Sequence, residues 1–341
     1  MAPLTLEDIA KRAGVSRSTV SRVVNNHPNI SAKVRTRVMK IIQETGYRPN
    51  AAARALVSQR SLTIGLVLPH TVSALFADPY YPLLIKGISK ACNQLEYMLA
   101  FFLASSKDDE KLIFSRIQDR GLLDGVLVQS GHHGNLQIVD QLVEAKTPLV
   151  VIGRPFDPKK VSYVDVDNVN ASYNAVLHLL RLGYQRIATI TGPLESTAGM
   201  DRLEGYRKAF AAFDRQIIPE LIVEGDFTEQ GGYSSMRALL AKKPDAVFAA
   251  SDVTAIGAIR IIQDKGLRVP EDIAIIGFDD IPIPTLPTVQ LTTVRQPVEE
   301  LGVAAVELLI DLIENGVTPP RYKVMNSELV IRTTCGSGRI R

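Results

Sequence analysis

From Ser61 onward, short apolar runs rich in β-branched residues recur at roughly 25-residue intervals, with amphipathic helical patterns between most of them. The strand-like runs are 63–68, 98–104, 125–129, 149–153, 186–191, 246–250 and 273–278. Strand, helix and strand in alternation pack back on themselves as right-handed parallel units, so the pattern predicts parallel sheets covered by helices on both faces. Roughly 280 residues of it divide into two doubly wound halves, and ligands of such sheets bind beyond the carboxyl ends of the strands. The binding site is therefore expected in a cleft between the halves.

The residues ahead of this pattern differ in charge. Residues 1–60 carry eleven Lys or Arg against three Asp or Glu, a net of +8, whereas the rest of the 341-residue chain nets −5. A basic head on an acidic body points to a polyanionic partner for the head alone. No run approaches the roughly 18 apolar residues of a membrane span or the shape of a secretory leader, so the protein is expected in the cytoplasm, with no membrane partner. Cys92 and Cys335 are the only cysteines and have no CxxC neighbour, which argues against a disulfide framework or a thiolate metal site.

Catalytic signatures are missing as well. The chain has no GxGxxG, GxxxxGK[ST] or GxSxG, and His27, His70, His132, His133 and His178 show no metal-ligand spacing. No enzyme activity, cofactor or metal is expected.

The head reads as an all-α unit. Thr5-Leu-Glu-Asp8 has the capping-box pattern, the set Leu6, Ile9, Ala10 and Ala13 has helical spacing, and Gly14 permits a tight turn. A second helix is capped by Ser16, with Val20, Val23 and Val24 inward and Arg17, Ser18, Ser21, Arg22 and Asn25 outward. A third runs from the Ser31 cap to Gly46 and closes a small core with Val34, Val38, Ile41 and Ile42. This is a helix-turn-helix plan, whose second helix enters the DNA major groove. Arg17 and Ser18 sit where base edges are read, and Arg22 can bond guanine bidentately. Ser16, Thr19, Asn25 and Ser31 suit caps and phosphates. Pro49 ends this domain, and Asn50 can cap a helix over 51–59 too short to be stable alone. Its single large apolar residue, Leu56, is either a minor-groove wedge or the anchor of an ordinary linker helix.

The segments Thr5-Leu-Glu-Asp-Ile-Ala-Lys-Arg-Ala-Gly-Val-Ser16, Thr19-Val-Ser-Arg-Val-Val-Asn25, Tyr47-Arg-Pro-Asn50 and Ala53-Arg-Ala-Leu56 resemble the LacI/GalR family of bacterial transcription regulators. The resemblance continues through Ile64-Gly65, Asp124-Gly125, Gly205-Tyr-Arg207, Val269-Pro-Glu-Asp272, Ile276-Gly-Phe-Asp279, Gln296-Pro297 and Leu329-Val-Ile-Arg332. It implies a helix-turn-helix domain over 1–49, a hinge helix over 50–60 and a core over 61–341 of two periplasmic-binding-protein-type subdomains. Their implied extents are about 61–165 plus 296–324 and about 166–295 plus 325–341. It further implies that Arg17 and Ser18 select the operator and that Leu56, with Arg54 beside it in the hinge, intercalates at the centre of a palindromic site. Thr5 and Asn50 complete the expected DNA-facing set.

Several polar groups collect at the strand ends: Asp78-Pro-Tyr-Tyr81, Gly153-Arg154, Asp165-Val-Asp167-Asn168, Asp201-Arg202, Asp226-Phe227, Ser251-Asp252 and Asp279-Asp280. Carboxylates and arginines with a few aromatic rings suit a polyol, because paired oxygens bridge vicinal hydroxyls while a ring packs on the sugar C–H face. Asp252 and Asp280 read equally well as helix caps. By resemblance, Tyr80, Tyr81, Asp167, Arg202, Phe227 and Asp279 contact an effector, with Ser251 and Asp252 at the pocket edge. Arg154 joins them on a strand end that departs from many relatives, which place an acid before the arginine. The expectation is a homodimeric repressor controlled by a sugar or glycoside, with no leucine heptad after Arg332 for a tetramer. The alternatives are a purine-type or phosphorylated corepressor, or an effector-independent DNA-binding protein.

Overall fold

The computed structural model describes residues 4–24, 27–47, 60–69, 71–119, 122–130, 137–282 and 289–338. The chain divides into two compact units, Met1–Leu62 and Thr63–Arg341.

In the first unit, α1 (Leu6–Ala13) starts at a completed capping box: the Thr5 backbone N–H donates to Asp8 Oδ2 at 2.8 Å, and the Asp8 N–H donates to Thr5 Oγ1 at 3.3 Å. The Thr5 N–H and the Thr5 hydroxyl both donate to Asp8 Oδ2 and hold its carboxyl below its ordinary range. Gly14, at φ 59°, ends the helix. α2 (Arg17–Val24) begins at Ser16, whose Oγ accepts the Thr19 N–H at 3.1 Å. α3 (Ala32–Thr45) begins at Ser31, which accepts the Val34 N–H, and stops at Gly46, φ 61°. Ile9, Ala13, Val20, Val23 and Val38 form the buried centre of the three helices, with Val24, Val34, Ile41 and Ile42 packed around it.

The second unit is built on two parallel-type sheets. The first lobe contains β1 (Thr63–Leu68), α4 (Val72–Ala77), α5 (Tyr80–Gln94), β2 (Met98–Leu103), α6 (Lys107–Gln118), β3 (Gly125–Gln129), α7 (Gln137–Glu144), β4 (Leu149–Ile152) and β5 (Ser162–Val166). The chain then crosses into the second lobe. That lobe comprises α8 (Asn168–Arg181), β6 (Ile187–Thr191), α9 (Thr197–Ala212), β7 (Ile222–Glu224), α10 (Glu229–Leu240), β8 (Ala246–Ala249), α11 (Asp252–Asp264), β9 (Ala274–Asp279) and β10 (Thr292–Arg295). It returns for α12 (Val298–Asn315) and β11 (Tyr322–Met325), then crosses a third time to place β12 (Glu328–Val330). Among the described residues the sheet orders are β11-β5-β4-β3-β1-β2 and β12-β10-β9-β8-β6-β7. All pairs are parallel except β10 with β12, which is antiparallel.

The seven expected strands are present, with ends differing by a residue at most. Five further strands (β5, β7, β10, β11 and β12) were not expected from the sequence. β5 (Ser-Tyr-Val-Asp-Val) and β10 (Thr-Thr-Val-Arg) carry polar side chains that the fold buries, so neither gives an apolar run. β7 and β12 are three residues long, and β11 is an exposed edge.

The helix pair α5 and α12 packs on the first sheet at very short range. A Cβ on Gly87 would lie 1.9 Å from the Glu299 carbonyl oxygen, and one on Gly302 would lie 2.6 Å from that of Leu84. The backbones touch because neither helix carries a side chain at the crossing. Since α5 also delivers Tyr80 and Tyr81, this contact fixes one wall of the interlobe cleft. Gly87→Ala should therefore lower stability by about 1–3 kcal/mol through overpacking. Urea unfolding checks this, and an unchanged midpoint would show that the helices separate at no cost.

Candidate functional site

On the head, the outward face of α2 presents Arg17, Ser18 and Arg22 exposed, with Thr19 and Ser21 half-buried. Ser16 Oγ lies 2.8 Å from both Ser18 Oγ and Thr19 Oγ1, so the helix start carries a connected cluster of hydroxyls. The Arg17 guanidinium is 3.4 Å from the Glu7 carboxylate of α1. Thr5 and Ser31 are engaged in helix caps. The face can donate and accept hydrogen bonds over two turns without disturbing the core. Asn25, Asn50, Arg54 and Leu56, like His70, His132 and His133, lie outside the described residues.

In the second unit, strand ends of both lobes converge on an open cleft of about 670 Å³, the solvent space at its mouth included. The first lobe contributes Asp78 just before α5, Tyr80 and Tyr81 at its start, Gln129 and Ser130 at the end of β3, Gly153 after β4, Asp165 of β5, and Gln296. The second contributes Asn168, Ser196, Arg202, Phe227, Ser251 and Asp279. Thus Tyr80, Tyr81, Arg202, Phe227, Ser251 and Asp279 line the cavity.

Arg154, Asp167 and Asp252 were expected with them and do not line it. Asp167 caps α8, accepting the Asn170 N–H at 3.0 Å and its Nδ2 at 2.5 Å, which turns its carboxylate away. Asp252 is fully buried behind Ser251, which is the cap of α11; its oxygens accept Thr293 Oγ1 at 2.5 Å and the Ile281 N–H at 3.1 Å. It therefore pins the β9 and β10 ends, and is not itself the helix cap. Arg154 turns instead to Asp201, at 2.6 and 2.8 Å. Asp280 does not cap a helix either: it forms ion pairs with Arg295 and Arg332. Sequence reasoning did not select Gln129, Ser130, Ser196 or Gln296 from the same cleft. For Gln129-Ser130 the signal was present, since the apolar run of β3 closes on Gln129 and a second polar residue follows it.

Arg202 is the cleft's organising cation. Only 6% exposed, it donates through Nε to Asn168 Oδ1 at 2.9 Å and through Nη1 to the Ala250 carbonyl at 2.5 Å. Its guanidinium lies 3.6 Å from Asp279 Oδ1 and 3.7 Å from the Phe278 ring centroid. Burial works against its charge, and Asp279, Tyr80 and Asp165 support it. Phe227 stands 5.6 Å from the same guanidinium, with φ +61°. Its ring fills the space a side chain at Gly192 would need, a Cβ there falling 2.0 Å from Cζ. The buried Gln129 Oε1 has no hydrogen-bond partner among the described residues. An acceptor in that state calls for a donor from whatever occupies the cavity.

Burial pushes the Asp165 carboxyl up to about 7, with Asp201 adding to the shift and Arg202 and Arg154 opposing it. Burial likewise pushes Asp279 up to about 7 against the pull of Arg202, and Asp78 is raised by the same cause. A carboxyl titrating near 7 when folded and near 3.8 when unfolded binds more protons in the native state between those values. Stability from this group is thus greatest below about pH 4 and falls as pH rises to about 7. Asp165→Asn should flatten the slope of unfolding free energy across that window by up to about one proton. Denaturant titrations at stepped pH read it, and an identical slope would mean that Asp165 ionises as an ordinary surface acid.

Comparison with known proteins gives these features a common setting. Residues 5–50 match the family model described as bacterial regulatory proteins, lacI family, and residues 176–335 match a periplasmic binding protein-like domain. The HTH-type transcriptional regulator CelR of Thermobifida fusca is 38% identical over 96% of this chain and 97% of its own. A solved CelR–cellobiose complex superposes with a TM-score of 0.77 at 36% identity, covering 97% of this chain and 99% of that one. A Lac repressor dimer bound to operator and the anti-inducer ONPF superposes with a TM-score of 0.83 at 28% identity, covering 98% and 99%. A head with an exposed polar second helix, a two-lobed core and full-length relatives of the same build together show that the chain belongs to the lacI family of bacterial regulatory proteins.

Proposed function

We propose that this protein is a transcriptional repressor that binds a pseudo-palindromic operator as a homodimer and is switched by a sugar or glycoside seated between the lobes of its core. The observation that carries the effector reading is the cavity itself. It gathers one buried guanidinium, several carboxyls, three aromatic rings and an amide oxygen unpaired among the described residues around one interlobe cleft. Neutral hydroxyls can donate to Gln129 Oε1 and Asp165 and accept from Arg202, while the Phe227 ring offers a face for sugar C–H groups. A β-linked disaccharide such as the cellobiose found with CelR is the first candidate.

In this reading residues 1–49 form the DNA-binding domain, 50–60 the hinge and the remainder the effector and dimerisation core. Arg17 and Ser18 select bases, Arg22 supports them, and Leu56 wedges the operator centre. The protein acts by binding in the cytoplasm and catalyses nothing. The effector shifts operator affinity only through its differential affinity for two lobe arrangements, and about 1–3 kcal/mol of coupling gives roughly 5- to 150-fold control.

The test is thermal stabilisation against monosaccharides, disaccharides, glycosides, purines and sugar phosphates, since a ligand at about 100 times its Kd adds about 2.7 kcal/mol. A selective shift by one neutral sugar supports the reading; a shift by a purine or phosphate alone, or none at all, rejects it. Phe227→Ala should weaken the responding sugar by about tenfold while leaving effector-free operator binding unchanged. Isothermal titration and operator gel shifts report the two halves of that expectation. On the head, Arg17→Ala should cost about 1–3 kcal/mol of discrimination at the base it reads, and uniform loss across operator variants would reassign it to phosphate.

A further inference from the structure

The two lobes are joined covalently by three chain crossings, after Val166, after Arg295 and after Met325. Away from those crossings they are also tied through Arg154. Its Nη2 and Nε donate to Asp201 Oδ1 and Oδ2 at 2.6 and 2.8 Å, and its backbone carbonyl accepts Thr197 Oγ1 at 2.6 Å. Arg154 follows β4 in the first lobe, and Thr197 and Asp201 belong to α9 in the second. The neighbours of these residues, Gly153 on one side and Ala198 and Arg202 on the other, line the cavity, but the ion pair itself does not.

We propose that Arg154 and Asp201 form an interlobe latch: positioning residues that set effector affinity by holding the cleft closed without touching the ligand. A paired, two-point guanidinium–carboxylate contact forms at one separation of its partners and is lost when they part by a few ångströms. The side chains are 31% and 15% exposed, so the pair is only partly screened by solvent. Because the apparent Kd is the intrinsic Kd divided by the competent fraction, any loss of closed population appears as the same factor in effector Kd. The latch also explains why Arg154 leaves the cavity wall: its guanidinium is committed across the seam. The affinity arm of this inference rests on the cleft being the effector site; the closure arm does not.

The experiment uses the full chain with fluorescent dyes on Lys111→Cys and Glu220→Cys, one exposed site per lobe. Cys92 and Cys335 are buried and leave the labelling selective. In the ligand-free protein, Asp201→Asn and Arg154→Gln should each increase the dye separation and reduce the closed population. With cellobiose as the probe, each should raise Kd by about tenfold, matching the lost closed fraction. The double variant should lose no more than either single one, the non-additivity of a shared contact. Unchanged dye separation in both single variants, or additive losses in the double, overturns the latch. If the unsubstituted protein ignores cellobiose, the effector reading fails on that sugar and the dye separation alone decides the latch.

Discussion

A guanidinium removed from water is the constraint around which the cleft is arranged. Arg202 cannot stay charged at 6% exposure unless several elements meet it at once. Asn168 comes from the first crossing, the Ala250 carbonyl from the end of β8, and Asp279 and Phe278 from the end of β9. Satisfying one cation therefore sets the relative placement of three strand ends. The same demand accounts for Asp279, held at φ 123° with its carboxylate shared between Arg202 and the Gln296 amide at 2.5 Å. Stability and recognition draw on the same groups, so a ligand arriving in the cleft meets donors and acceptors already oriented.

Much of this was legible beforehand, for physical reasons that differ between regions. The head is specified locally: caps at Thr5, Ser16 and Ser31, left-handed stops at Gly14 and Gly46, and a 3.6-residue apolar stripe all act within one turn. The central strands of the core are buried on both faces and so announce themselves as apolar runs. β5 and β10 did not, because Ser162, Thr292 and Thr293 are buried polar residues whose partners come from elsewhere in the chain. Arg321 donates its N–H to Ser162 Oγ at 2.9 Å, and Thr293 donates to Asp252 at 2.5 Å. Long-range polar pairing has no sequence period.

The same distinction explains which candidate residues reached the cavity. Tyr80, Tyr81 and Phe227 were placed by backbone features close in sequence: Asp78 accepting the Tyr80 N–H at 2.9 Å, and the positive φ of Phe227. Asp167 and Asp252 stand next to cavity residues in sequence, yet a competing local bond claims Asp167 and a competing distant one claims Asp252. A carboxylate at a strand end has two attractive fates, capping the next helix or facing the ligand, and the outcome depends on groups a linear reading cannot locate. Asp165 instead lines the cavity, where Asn168 Nδ2 donates to it at 3.3 Å.

The triple crossing between lobes bears on how the molecule is made. Neither lobe is a continuous segment: the first lacks α12 and β11 until residues 298–325 have been synthesised, and the second lacks β12 until residue 330. A growing chain on the ribosome can fold its three-helix head once residue 47 has emerged, long before either sheet is complete. Until then the first lobe exposes the face of α5 around Gly87 that α12 will cover. The DNA-facing part is therefore the first to reach its final form, and the ligand-responsive part is assembled last, both halves nearly at once.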